Sequence, residues 1–252
     1  LSSSTRLQPA LSAEELARLA EQIRTGVARL PEDSRHPVSV QGMSLKQGVD
    51  AFYRLRNYRP VWHDPVLLDQ LLDALADLHF DGLDPDESSL SRLKQKRDQL
   101  TDLTSITARA DLDLLATRSC MLALIHLYRG RLDPNQLDPQ WNFPTHAMKP
   151  QAGVQALNEA VEKRQLAEVF DRARPQQPGY LHPRDGLLQL YAIENKGGWG
   201  QIADGPTLKP GMRDARVPVL RRRLVLAGVL ARDRAEGKDY DAAVEAAVKR
   251  FQ

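Results

Sequence analysis

Apolar residues in this chain recur three and four positions apart, and nowhere do they alternate with polar ones over the length of a strand. That periodicity confines the chain to packing helix on helix. A stripe repeating every 3.6 residues lines one face of a helix, whereas a half-buried strand needs a period of two. Leu16, Leu19, Ala20, Ile23, Val27 and Leu30 share one such face. Ser12 and Glu15 precede it as a capping box, each side chain satisfying a free backbone N–H, and Pro31 closes it. Residues 31–43 read as a loop. Leu45, Val49, Phe52 and Tyr53 mark a second helix. Asp64 and Pro65 start a third, because the carboxylate caps and the missing proline N–H costs nothing in the first turn. Its stripe is Leu67, Leu68, Leu71, Leu72 and Leu75, and Gly82 stands where a left-handed cap belongs. The longest helix is predicted over 106–129, ended by Gly130. It is apolar on more than one side and therefore central. Further helices are predicted at 154–170, broken near Arg164, and at 184–196. The fold class is mainly α, with no sheet larger than a hairpin.

Leu-Asp-Pro occurs at Leu83–Pro85, Leu132–Pro134 and Leu137–Pro139 and reads as punctuation, since the flanking sequence does not recur at a fixed period. Gly197-Gly198-Trp199-Gly200 and Asp204-Gly205-Pro206 break the helical pattern. The chain is accordingly divided into 1–44, 45–205 and 206–252. In the last segment Asp214 is expected to cap a helix carrying Val217, Leu220, Leu224 and Ala227. Tyr240-Asp241 opens another with Val244, Ala247, Val248 and Phe251. This helix has no stop signal before Gln252, so the segment is expected to be cut inside a structural unit. The chain begins at Leu1, which suggests a removed leader or a trimmed piece. The longest run of purely apolar residues in the long helix, 121–125, is far short of the ~20 that span a bilayer.

Charge is uneven. Residues 206–252 hold 11 Lys and Arg against 6 Asp and Glu, and residues 1–205 hold 24 against 27. A basic end suits nucleic acid, an anionic membrane or an acidic polymer, but a solvated helix face explains it equally simply. Arg221-Arg222-Arg223 alone is no more than an electrostatic footprint, and no nucleic-acid partner is expected.

No constellation of catalytic residues stands out. The single cysteine, Cys120, sits mid-helix between Ala116 and Leu124 at helical spacing and reads as a buried, inert thiol. One cysteine excludes an intrachain disulfide and any multi-cysteine metal site. The six histidines, His36, His63, His79, His126, His146 and His182, include no i,i+4 pair, and no metal or other cofactor is expected. Gly197-Gly198-Trp199-Gly200 lacks the lysine and the preceding strand of a phosphate loop. Acidic pairs such as Asp111/Asp113 and Glu14/Glu15 read as helix surface charge. Trp62, Trp141 and Trp199 all lie in loops beside Pro or Gly. Such a tryptophan stacks on a sugar ring or, more often, plugs the core between helices.

Two stretches go further. Phe52-Tyr-Arg-Leu-Arg-Asn-Tyr-Arg-Pro-Val-Trp62 is followed by a Leu-rich helix ending in His79-Phe-Asp-Gly-Leu-Asp-Pro85, then by Tyr128-Arg-Gly-Arg-Leu-Asp-Pro134 and Leu137-Asp-Pro-Gln-Trp-Asn142. In this order they resemble the helical scaffold domain of YcbB-type murein L,D-transpeptidases, and Pro178-Gly-Tyr180 and Gly197-Gly-Trp199 continue the likeness. Residues 205–217 with Leu220 and Leu224, then Tyr240–Val244 and Val248–Gln252, look like the first half of a small helical peptidoglycan-binding domain. The resemblance covers about 45–252. It implies a non-catalytic scaffold and wall-binding portion of a periplasmic enzyme that forms 3-3 crosslinks through a cysteine nucleophile. That family's Ser-His-Gly-Cys-x-Arg motif is absent here, so no catalytic position carries over and the glycan-contact residues stay unassigned. The partners implied are peptidoglycan and the missing catalytic domain. The alternative is a stand-alone peptidoglycan-binding or adaptor protein without enzymatic activity.

Overall fold

The computed structural model describes residues 11–31, 39–40, 42–101, 104–131 and 149–252. The second and third Leu-Asp-Pro triplets, Trp141, His36 and His146 lie outside them. Among the described residues the protein is mainly helical, with ten α-helices and one two-stranded hairpin. It divides into two compact units, Leu1–Leu181 and His182–Gln252.

The first unit starts with α1 (Ala13–Arg29), whose capping box is present with both Ser12 and Glu15 engaged, and which buries Leu19, Ile23 and Val27. A hairpin pairs β1 (Ser39–Val40) with β2 (Met43–Ser44). Ser44 then begins α2 (Leu45–Leu55) with a second capping box, completed by Gln47. The Asp64 carboxylate accepts from the Val66 N–H to start α3 (Pro65–Ala76), and all five leucines of its stripe are buried. Two 3-10 turns follow, Asp77–Asp81 and Pro85–Ser88, the first ended by left-handed Gly82 at φ 72°. A short helix, α4 (Leu90–Asp98), has no counterpart in the periodicity. It buries only Leu90 and Leu93, too few apolar positions to mark a stripe.

The axis of this unit is α5 (Ile106–Arg129), against which α1, α2, α3 and α4 all pack. Thirteen of its 24 residues are buried, and Ala110, Ala116, Ser119, Cys120 and Ala123 are small enough to admit neighbours on several sides. On α1, Gly26 lies so close to Leu114 that an added methyl would collide with it. The helix expected at 154–170 is two: α6 (Pro150–Glu162) and α7 (Leu166–Ala173), parted where Arg164 adopts a left-handed φ of 54°. Helix α7 also packs on α5. The resulting core is continuous, running from Leu19 to Phe170.

Helix α8 (Pro178–Glu194) begins six residues before the predicted start and passes through Pro183. The division between the units falls inside it. In the second unit, α9 (Val217–Leu226) and α10 (Ala242–Phe251) enclose a small core of Val217, Leu224, Leu230, Tyr240, Val244 and Ala247. Asp241 caps α10 as expected. Asp214 does not cap α9. The N-cap is Arg216, and Asp214 stands two residues earlier, accepting from both the backbone and the guanidinium of Arg216. The hydrogen bonds from Arg216 hold its carboxyl down at about 2.

Candidate functional site

Cys120 is fully buried, and burial alone pushes its thiol far above the range in which a thiolate forms. It has neither the access nor the electropositive setting that a nucleophilic cysteine needs. Among the described residues no cluster of His, Cys, Asp and Glu could hold a metal ion. His126 is buried in α5, and His63 is held below its ordinary value by burial. No described helix is long and apolar enough to cross a membrane.

The polar centre of the first unit is Asp113, which the sequence pattern assigns to the helix surface. Asp111 is exposed, but Asp113, two residues and thus more than half a turn further, is only 2% exposed. Its Oδ2 accepts from the backbone N–H groups of Val61 (3.0 Å) and Trp62 (2.8 Å). Its Oδ1 accepts from the Tyr53 hydroxyl at 2.7 Å. A chain of bonds leads outward from there. Indole Nε1–H of Trp62 donates to Oγ1 of Thr117 (2.8 Å), leaving the Thr117 hydroxyl to donate to Tyr53 Oη (2.7 Å) and Tyr53 to donate to Asp113. Burial raises the Asp113 carboxyl to about 6, opposed by the donors from Tyr53, Trp62 and Val61. The Arg-Pro-Val-Trp stretch is thereby sewn to α5, and Trp62, 1% exposed, fills the core. Of the two roles open to a loop tryptophan, Trp62 has the packing one.

A second buried junction joins the His79-Phe-Asp-Gly stretch to the end of α7. Arg174 Nε lies 3.0 Å from both carboxylate oxygens of Asp81, whose side chain is wholly buried. Arg174 Nη1 also donates to Asp171 (2.7 Å), and the Tyr180 hydroxyl donates to Asp81 (2.8 Å). Arg56, 7% exposed, similarly bridges α2 to Asn158 (2.7 Å) and Glu162 (2.6 Å) of α6. Tyr53, Arg56, Val61, Trp62 and Asp81, all in the motif stretches between 52 and 85, are therefore fasteners. An apolar pocket of about 160 Å³ opens beside this core, lined by Met43, Gly48, Met121, Leu124, Tyr128 and Val154 among others.

In the second unit the triple arginine does not form a solvated basic face. Arg221 is 4% exposed and donates to the carbonyls of Arg234 (3.1 Å) and Asp239 (2.7 Å) and to the Asp241 carboxylate (2.7 Å). Arg222 is exposed, and the Arg223 guanidinium lies 5.4 Å over the ring of Trp199. Trp199 itself is half-buried and borders a cleft of about 340 Å³ with Leu187, Leu190, Tyr191, Ile193 and Glu194. None of these buried ions is visible in the sequence, because, apart from Asp171 three positions before Arg174, the partners that set their places lie 13 to 106 positions away.

Both units are thus built around residues that hold loops in place, and the one thiol is sealed inside a helix. Residues 47–187, more than half of the chain, match the family model described as Scaffold domain. None of the curated proteins matches the chain. The chain belongs to the Scaffold domain family, the N-terminal scaffold of L,D-transpeptidases, and its matched region fits the non-catalytic part of such an enzyme.

Proposed function

We propose that this chain is the positioning portion of a YcbB-type L,D-transpeptidase of the bacterial periplasm. The enzyme's cysteine nucleophile, lying outside these residues, forms 3-3 crosslinks, while the first unit braces the catalytic domain. The second unit, by its resemblance to a peptidoglycan-binding module, engages the wall polymer. The observation that carries the reading is the family match over 47–187, laid on a unit whose only thiol is buried. Its fasteners support the same role. Asp113, Arg174 and Arg56 each fix a loop or helix end, which suits a rigid brace and leaves no catalytic group facing solvent in that network.

The test is cosedimentation with purified sacculi. The chain should pellet with them in a saturable way, and a chain left in the supernatant at every sacculus concentration would overturn the wall-binding part. Incubated with disaccharide-tetrapeptide, the chain should release no D-Ala above a Cys120→Ala control, as followed by mass spectrometry. Release that depends on Cys120 would overturn the assignment of catalysis to residues elsewhere.

A further inference from the structure

Helix α8 is 17 residues long and buries none of its side chains, although Leu187, Leu188, Leu190, Tyr191 and Ile193 crowd its C-terminal half. A helix of that composition ordinarily buries a stripe. Leu190 is 52% exposed. Just beyond the helix, Gly197 and Gly198 take φ values of 98° and 72°, which only glycine adopts without strain. Their N–H groups bond back to the carbonyls of Glu194 (2.9 Å) and Ile193 (3.0 Å), so the chain reverses tightly. Trp199 is thereby returned alongside the last turns of the helix, where it walls the cleft of about 340 Å³. Gly200 completes the close approach, since a Cβ there would stand 3.0 Å from Val219. The indole does not hang free, because Arg223 stacks over its ring.

We propose that this cleft, between the C-terminal half of α8 and Trp199, is a binding site for a pyranose ring of an amino-sugar glycan strand. The choice of sugar rests on the peptidoglycan reading above; the chemistry of the site is independent of it. A pyranose is an amphipathic disc. Its axial C–H face packs on aromatic and aliphatic side chains, here Trp199, Tyr191, Leu187 and Leu190, and its equatorial hydroxyls need acceptors at the rim. Glu194 supplies one: it lines the cleft and is exposed. The volume falls within the ~300–1,000 Å³ range of small-ligand clefts. The Glu194 carboxylate offsets the Arg223 guanidinium over Trp199, and this balance favours a neutral, hydroxyl-rich ligand over an anionic amphiphile such as a fatty acid. The first unit's pocket has no carboxylate in its lining: its one charged residue there is Arg172, and most of the rest are apolar.

The experiment is a titration of the whole chain with tetra-N-acetylchitotetraose, observing the indole N–H resonances, with that of Trp199 identified by its loss in Trp199→Phe. The Trp199 resonance should move and that of buried Trp62 should not. Leu190→Glu, at a position too exposed to endanger folding, and Trp199→Ala should each weaken binding by roughly tenfold, as truncation of a central contact does. An unmoved Trp199 resonance, or full affinity in Leu190→Glu, overturns the site. Sacculus cosedimentation separates the two claims. Sacculi retained with Trp199 unmoved by chitotetraose would sink the cleft and spare the wall-binding reading. A moved Trp199 resonance with no retention on sacculi would keep the cleft and sink that reading.

Discussion

The two units fasten their loops with opposite charges. In the first, the Asp113 carboxylate accepts from the backbone N–H groups of Val61 and Trp62; in the second, the Arg221 guanidinium donates to the backbone carbonyls of Arg234 and Asp239. The settings also differ. Asp113 is enclosed by a core that runs through seven helices, whereas Arg221 sits beside a core of six buried residues. A small core gains little from burial against the entropy of ordering its loops, so cross-loop bonds carry more of the burden there. In the large core the loss of one ion can be larger in absolute terms and still be a smaller share of what holds the unit together. One buried acid is tolerated because three donors reach it, and one buried arginine because three acceptors do.

The comparison breaks most readily at Asp113. Asp113→Ala leaves two backbone N–H groups without an acceptor inside the core and should lower unfolding free energy by about 3–5 kcal/mol, read by urea titration. A loss under about 1 kcal/mol would show that the loop is held by packing alone. Asp113→Asn, which keeps an acceptor oxygen, should lose less.

Acidity gives the next largest effect. The Asp113 carboxyl is raised to about 6 in the folded protein, above its unfolded value near 3.8. In that window the folded state holds the proton that the unfolded state has released. The contribution of Asp113 is therefore fully present below about pH 4 and is lost as pH rises through 6, amounting to about 3 kcal/mol. Asp214, held down at about 2, acts in the other sense and lower, its contribution being lost as pH falls from about 4 through 2. The difference between wild type and Asp113→Asn isolates the first effect; a difference flat from pH 4 to 7 would contradict it.

Arg221→Met should destabilise the second unit by about 2–3 kcal/mol by stripping donors from Arg234, Asp239 and Asp241. Amide exchange in α10 should quicken while α5 keeps its protection. Equal loosening of both would mean that the units do not unfold separately. The smallest effect is expected from Thr117→Val, about 1–2 kcal/mol, since it removes the acceptor of the Trp62 indole but leaves the backbone bonds to Asp113 in place.

What the sequence discloses and what it hides follow the same division between local and distant. Ser12 with Glu15, Asp64 with Pro65, Gly82 and Asp241 act on groups within a few positions of themselves, so their roles are legible without the fold. So is the sealing of Cys120, from its apolar neighbours. Asp113 passes for surface charge because its partners are up to 60 positions away. Arg221 passes for part of a solvated stripe because nothing near it announces the carbonyls it binds. Asp214 has the spacing of a cap for Val217, yet its nearer bond to Arg216 wins. The Trp199 cleft is half legible: a loop tryptophan admits either packing or stacking on a ligand, and only placement beside an unburied helix separates Trp199 from Trp62.

The position of Cys120 also makes the protein its own reporter. As the chain's only thiol, fully enclosed on the axial helix, it reacts with a dissolved alkylating reagent only in molecules whose α5 has opened. At low reagent the labelling rate counts the equilibrium population of open molecules, and at high reagent it reaches the opening rate itself. A dye attached to an engineered surface cysteine would then sit at one address, while the native thiol kept time silently inside.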